Sequence, residues 1–349
     1  MSDILPPKLA AAFERLYSVK ADWNERRIAF AEIEDIGVDS LGSLSSSLEE
    51  YWTTIVLPDG WHSKTKVIRP KPSSHGSQHP RPLIVMYHGG GFSIGSPQSI
   101  TRPGREFAER FGAVVVCPSY KLTHEGRWPA PMTTAWDVLA YLSENPAEFG
   151  ATLDGINGGF YIVGFSAGAG LSAVCAGLHV FGGNQLGGRK QLAKPLTGVF
   201  LNTPLFLTKE IVPTEFAQLW TSREDNRHTE GLNTEGVEAI WDNLQPDVSS
   251  PWFSPINTIS QAQNRKELAA ECPPFYIQTA RLDPLRDDGI VLARMLSDLG
   301  CTVKEDCFKD DGHIGWTAVP VSPKTPGVAQ ATMDGMKWLF DQRHLQHES

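Results

Sequence analysis

Residues 164–168 read Gly164-Phe165-Ser166-Ala167-Gly168, a G-x-S-x-G that follows the apolar run Phe160 to Val163 and precedes the small-residue stretch AGAGLSAVCAGL. A serine at a tight strand-to-helix turn holds its hydroxyl clear of the sheet. The helix behind it aims backbone N–H groups and a positive dipole end at the same point. Such a serine is built for nucleophilic attack on an acyl carbon, and it then needs a base, a carboxylate to orient that base, and donors for the oxyanion that forms. Gly168-Ala169-Gly170-Leu171-Ser172-Ala173 also fits a dinucleotide-binding G-x-G-x-x-A. That motif starts at the end of a first strand, whereas Gly168 falls inside the expected helix with several strands before it.

Donors for an oxyanion are offered by His88-Gly89-Gly90-Gly91-Phe92, directly after the run Leu83 to Tyr87. Three successive glycines lose much backbone entropy on folding and make sense where the main chain itself must approach a ligand. A backbone N–H aimed at an oxyanion is worth on the order of 100-fold or more in turnover.

Among the histidines His313 stands out as the base, in the loop Asp310-Asp311-Gly312-His313-Ile314-Gly315-Trp316 after the last sheet-like run. His124 is a rival in a loop after another strand, and His88 belongs to the glycine loop as a brace. His62, His75, His79, His228, His344 and His347 fall in polar loops, the insertion or the tail, and His179 is expected on a helix surface. Asp283, in Arg281-Leu282-Asp283-Pro284-Leu285, follows the run Pro274 to Thr279 at the carboxyl edge where α/β sheets place their chemistry. Asp287 and Asp288 read as first-turn acids of the next helix, and Asp310 and Asp311 are too near His313 in sequence to approach its ring from behind. The order Ser, Asp, His is that of the α/β-hydrolases.

The elements that must position these residues follow from the hydrophobic pattern. Short apolar runs at Leu83 to Tyr87, Ala113 to Cys117, Phe160 to Val163, Thr197 to Leu201, Pro274 to Thr279 and Thr302 to Phe308 alternate with helical stretches at Pro131 to Ser143, Ala167 to Val180, Leu285 to Leu299 and Val328 to Phe340. That alternation predicts an α/β fold, a mostly parallel sheet covered on both faces. Two amphipathic stretches, Leu9 to Val19 and Arg26 to Ile36, open the chain, followed by a joint at Ser40 to Ser47 and a hairpin about Pro58-Asp59-Gly60. The interval between the runs ending at Leu201 and starting at Pro274 is far longer than a βα loop and predicts an inserted lid. Within it Thr221 to Gly231 reads as a solvated connection.

The 349 residues are 41% hydrophobic and carry a formal net charge of −9. The acidic balance leaves no basic field for nucleic acid or an anionic membrane surface. No apolar run reaches the ~20 residues of a bilayer span, and the opening MSDILPPKLA lacks a secretory pattern, so a cytoplasmic protein is expected. Cys117, Cys175, Cys272, Cys301 and Cys307 are scattered without a CxxC pair, arguing for reduced thiols and against a disulfide framework or a zinc site.

With these residues in view, the chain resembles the hormone-sensitive lipase family of α/β-hydrolase carboxylesterases. The resemblance runs from about Leu83 to the C-terminus through HGGGFSIGSP, PSYKLTHEGRWPAP, GFSAG, LDPLRDDG and GHIGW, in the family's order. It implies Ser166 as nucleophile, His313 as general base and acid, Asp283 as orienting acid, and an oxyanion hole from two of Gly89, Gly90 and Gly91 with Ala167. It implies no metal or organic cofactor, a small ester substrate with a short acyl chain, and an assembly that includes a homodimer. It further implies lid helices at 1–48, a catalytic domain at 49–202 and 272–349, and an inserted lid at 203–271.

Three features depart from the family pattern. Phe165 stands where the family carries Asp or Thr, KLTHEG replaces the usual R-L-A-P-E, and Ile314 separates His313 from Gly315. Phe92, Trp220, Trp252 and Trp316, with Phe165 and Ile314, are candidate pocket residues, and lid core is an equal reading for the aromatics. Two alternatives stand beside ester hydrolysis. One is a tailoring enzyme that opens lactones, releases thioesters or cyclises a specialised small molecule. The other is a non-catalytic receptor, which the complete Ser, Asp, His set disfavours.

Overall fold

The computed structural model describes residues 6–18, 20–72, 80–155, 157–313 and 325–348. Among them one sheet runs through β1 (Leu48–Val56), β2 (His62–Pro70), β3 (Leu83–Tyr87), β4 (Val114–Pro118), β5 (Phe160–Phe165), β6 (Gly198–Asn202), β7 (Phe275–Ala280) and β8 (Val303–Phe308). Its spatial order is β1-β2-β4-β3-β5-β6-β7-β8. The β1–β2 hairpin and the β2–β4 pair are antiparallel and every later pair is parallel. Strands β3 to β7 are buried along their whole length, which is why they read as continuous apolar runs rather than as alternating ones.

The helices are α1 (Pro7–Tyr17), α2 (Trp23–Ser40), α3 (Thr101–Phe111), α4 (Ala130–Glu144), α5 (Ala167–Phe181), α6 (Ser222–Asp225), α7 (Thr234–Leu244), α8 (Pro255–Gln261), α9 (Arg265–Leu268), α10 (Arg286–Asp298) and α11 (Val328–Glu348). One core packs α4, α5, α10 and much of the β6–β7 insertion on one sheet face. A second core packs α3 and α11 on the other, through Phe107, Ala108, Met333, Met336 and Leu339. The expected two-faced sheet is therefore present. Helix α3 escapes the sequence pattern because Thr-Arg-Pro-Gly looks like a turn. Pro103 sits in the helix's first turn, where its missing N–H would have no partner in any case.

The amino-terminal helices pack on each other and on Ile94, in the segment after β3. Asp22 and Glu25 close a capping box at the start of α2. Of the histidines expected in loops, His62 instead begins β2, exposed. His179, expected on a helix surface, is half-buried, its Nδ1 without a partner among the described residues. Among the described residues no helix is long and apolar enough to cross a membrane.

Candidate active site

The turn between β5 and α5 holds Ser166 at φ 56° and ψ −121°, a backbone conformation that L-residues rarely adopt. It is held from both sides. The Ser166 N–H donates to the Asn202 carbonyl at 2.9 Å, and the flanking glycines leave no room for side chains. A Cβ at Gly168 would stand 2.1 Å from the Tyr87 carbonyl oxygen, and one at Gly164 equally close to that of Gly168. The G-x-S-x-G spacing is thus a packing requirement of helix against strand.

His313 Nε2 lies 2.8 Å from Ser166 Oγ, and its Nδ1 lies 2.8 Å from Asp283 Oδ2. Asp283 is wholly buried, and its other oxygen accepts the Leu285 N–H at 2.8 Å. A buried carboxylate accepts only, so the Nδ1 facing it carries the proton and Nε2 presents a lone pair to the serine hydroxyl. The two loops are joined directly, the Leu282 N–H donating to the Asp311 carbonyl at 2.9 Å.

The glycine loop lies beside the serine: a Cβ on Gly89 would come within 3.1 Å of Ser166 Cβ. Gly90 and Gly91 take φ of 111° and 57°, and the Gly90 carbonyl is turned back to accept the N–H groups of Ser93 and Ile94. Among the described residues the N–H groups of Gly89, Gly90, Gly91 and Ala167 donate to no protein oxygen, which leaves them free for a ligand. His88 braces this loop. Its Nδ1 donates to the Gly89 carbonyl at 2.7 Å, its ring stacks on Tyr120 at 4.5 Å, and the Tyr120 hydroxyl donates to the His88 carbonyl at 3.0 Å. Burial pushes His88 down to about 4, so the ring stays neutral at neutral pH.

Both helical additions are tied to the segment that follows the glycines. From α2 the buried Glu34 accepts the Ser96 N–H and hydroxyl, each at 2.8 Å. From α7 the Asn243 amide donates to Ser93 Oγ at 2.8 Å and Thr123 Oγ1 at 2.9 Å. The insertion also grips the acid loop. Asp288 accepts the N–H groups of Phe206 and Leu207 and pairs with Arg223, while Asp287 accepts those of Thr221 and Ser222. These two acids do sit in the first turn of α10, as expected, but they face the insertion rather than solvent. Thr221 to Gly231 is only in part a solvated connection: Thr221, Glu224, Asp225, His228 and Glu230 are exposed, while Ser222 and Asn226 are buried against residues 281–284. Its charged look comes from Glu224 and Arg227, which pair with each other at the surface.

The expected pocket residues separate. Phe92 is buried and stacks on Trp241 of α7 at 6.3 Å. Phe165 does not join it; its side chain lies in the second core, edge-on to Phe200 at 6.1 Å, because successive residues of β5 alternate between the faces. Trp252 packs edge-on to Trp136 of α4 beneath Arg189, and Trp220 lies under Arg223. Ile314 and Trp316 lie outside the described residues. Among the described residues His124 makes no hydrogen bond to Ser166 or Asp283; it is exposed, and partial burial and Arg27 hold it below its ordinary value.

A mostly parallel sheet with a strained serine elbow, a buried Asp–His pair on its hydroxyl and a glycine loop beside it defines a serine hydrolase of the carboxylesterase kind. Residues 84–317 match the family described as having the alpha/beta hydrolase fold, and the chain belongs to that family, in its hormone-sensitive lipase-like group. It is similar to carboxylesterase NlhH of Mycobacterium tuberculosis, 30% identical over 74% of this chain and 73% of that protein. The versiconal hemiacetal acetate esterase of Dothistroma septosporum is 27% identical over 76% of each chain. Among solved structures, vibralactone cyclase superposes with a TM-score of 0.75 at 23% identity, covering 98% of this chain and 92% of its own.

Proposed function

We propose that this enzyme hydrolyses small carboxylic esters through an acyl-enzyme formed on Ser166, with His313 as proton carrier and Asp283 as its orienting acid. The observation that carries the reading is the unbroken line Asp283–His313–Ser166, two contacts of 2.8 Å through one imidazole. His313 Nε2 takes the hydroxyl proton as Ser166 Oγ attacks the acyl carbon. The imidazolium that forms stays bound to the Asp283 carboxylate, and the oxyanion rests on the N–H of Ala167 and N–H groups of Gly89 to Gly91. His313 then protonates the departing alkoxide, and water, activated by the same nitrogen, releases the acid and restores Ser166.

A short acyl group is supported by the structure around the glycines. Ile240 of α7 stands against Gly91, and Trp241 stacks on Phe92, so side chains of the insertion crowd the glycine loop. The acetate named for the Dothistroma relative points the same way. Residues 1–48 and 203–271 act together as the lid, since Glu34 and Asn243 anchor them to one loop.

The test is initial-rate hydrolysis of p-nitrophenyl esters from acetate to palmitate. Rates that peak at the short end and fall steeply with chain length are expected. Rates that rise toward palmitate would overturn the small-ester reading. A folded enzyme inert to every ester, yet labelled at Ser166 by an alkyl phosphonate, would instead favour a tailoring reaction in which a substrate hydroxyl replaces water.

A further inference from the structure

We infer that Asn226, from the insertion, is a positioning residue for the acid loop and thereby for the triad. The inference rests on the reading of Ser166, His313 and Asp283 above. The Asn226 Nδ2 donates to the Arg281 carbonyl at 3.2 Å and to the Asp283 carbonyl at 3.1 Å. Two carbonyl acceptors require the nitrogen end of the amide, so the orientation follows from the partners.

Between the two carbonyls lies Leu282, whose N–H holds the Asp311 carbonyl, two residues before His313. One buried amide therefore grips the loop on both sides of the bond that ties acid to base. The same carbonyls have other donors, the Arg286 N–H on Asp283 at 3.1 Å and the Arg286 guanidinium on Arg281 at 3.4 Å, but both come from α10 itself. Among these donors Asn226 is the one that joins the loop to the insertion.

The surrounding bonds make the junction reciprocal. Ser222 Oγ donates to the Pro284 carbonyl at 2.7 Å, the Arg223 guanidinium reaches the same oxygen, and Asp287 receives the Thr221 and Ser222 N–H groups at 2.6 Å each. A Cβ on Gly312 would lie 3.4 Å from the Leu282 carbonyl and 3.9 Å from that of Glu230, so the end of the same stretch also abuts the histidine loop. The consequence is chemical as well as structural. A carboxylate swung off Nδ1 ceases to stabilise the imidazolium at the moment Ser166 gives up its proton.

Asn226→Ala and Asn226→Ser, the latter keeping one donor, test this with p-nitrophenyl acetate. Active sites are counted by phosphonate titration, and kcat and KM are followed from about pH 5 to about pH 9. The alanine variant is expected to lose roughly 10- to 100-fold in kcat per titrated site with KM within about twofold, and its acidic limb in kcat/KM moves to lower pH because the imidazolium is less stabilised. The serine variant falls between. Unchanged kcat per site and an unchanged acidic limb, whatever the melting temperature, would overturn the inference, and if the alanine variant does not fold the serine variant decides it by the same two readouts. Wild-type activity in Ser166→Ala would overturn the triad reading instead, so the two failures are distinguishable.

Discussion

Ile240 of α7 stands directly over Gly91: a Cβ added to that glycine would lie 2.7 Å from Ile240 Cγ1. The insertion and the glycine loop are thus fitted to each other at the level of one missing methyl. Gly91→Ala would meet both this clash and a φ of 57°, which costs an L-residue about 1 kcal/mol in strain alone. We expect kcat/KM to fall by roughly 10-fold or more, and Ile240→Ala in the same chain to restore part of the loss. A double variant no better than Gly91→Ala would show that backbone strain, and not the contact with α7, is the whole effect.

Glu34 gives the amino-terminal helices a pH dependence. Burial pushes its carboxyl up to about 7, against the pull of the Ser96 and Ser99 hydrogen bonds. The folded protein therefore keeps this proton to about pH 7, while an unfolded chain releases it near the ordinary glutamate value of 4.5. Stability contributed here is present at low pH and declines as pH rises through that window. Glu34→Gln, neutral throughout, should gain on the wild type by up to about 3 kcal/mol between about pH 5 and about pH 8, read from urea unfolding. A difference that stays flat with pH would contradict this account. Asp288, also raised by burial, to about 6, has the same sign and cancels in the comparison.

Phe165 separates core from pocket. Its ring fills the second core against Phe200, beneath the serine elbow. Phe165→Ala should cost about 3 to 5 kcal/mol in unfolding free energy and leave the KM for small esters nearly unchanged. A raised KM with intact stability would return Phe165 to the substrate pocket.

The parts of this site that were legible in the sequence are those whose cause is local. Gly164 and Gly168 are demanded by a turn five residues long, the glycines after β3 by a loop of similar length, and β3 to β7 by continuous burial. His313 and Asp283 could be chosen because each follows a strand. What was hidden is long-range. Asn226, Ser222 and Arg223 look like solvated polar residues because their partners, the carbonyls of 281–284 and the Asp288 carboxylate, lie some sixty residues away. Asp287 and Asp288 are legible as acids of a first helical turn, yet their role comes from N–H groups of the insertion. Glu34 carried no signal at all, since a glutamate on an amphipathic helix is ordinarily solvated. Phe165 reads as a pocket residue for its unusual type, whereas the alternation of β5 sends its ring into the second core.

The central claim is that Ser166 carries the acyl group. Its most direct test is mass analysis of the enzyme quenched during turnover of p-nitrophenyl acetate, beside Ser166→Ala shown to be folded. The account predicts one acetyl group per chain, mapped to the peptide containing Ser166, and a fall of roughly 10⁴ or more in kcat for the variant. Equal rates in the two proteins, or acetyl found on another residue, would contradict it.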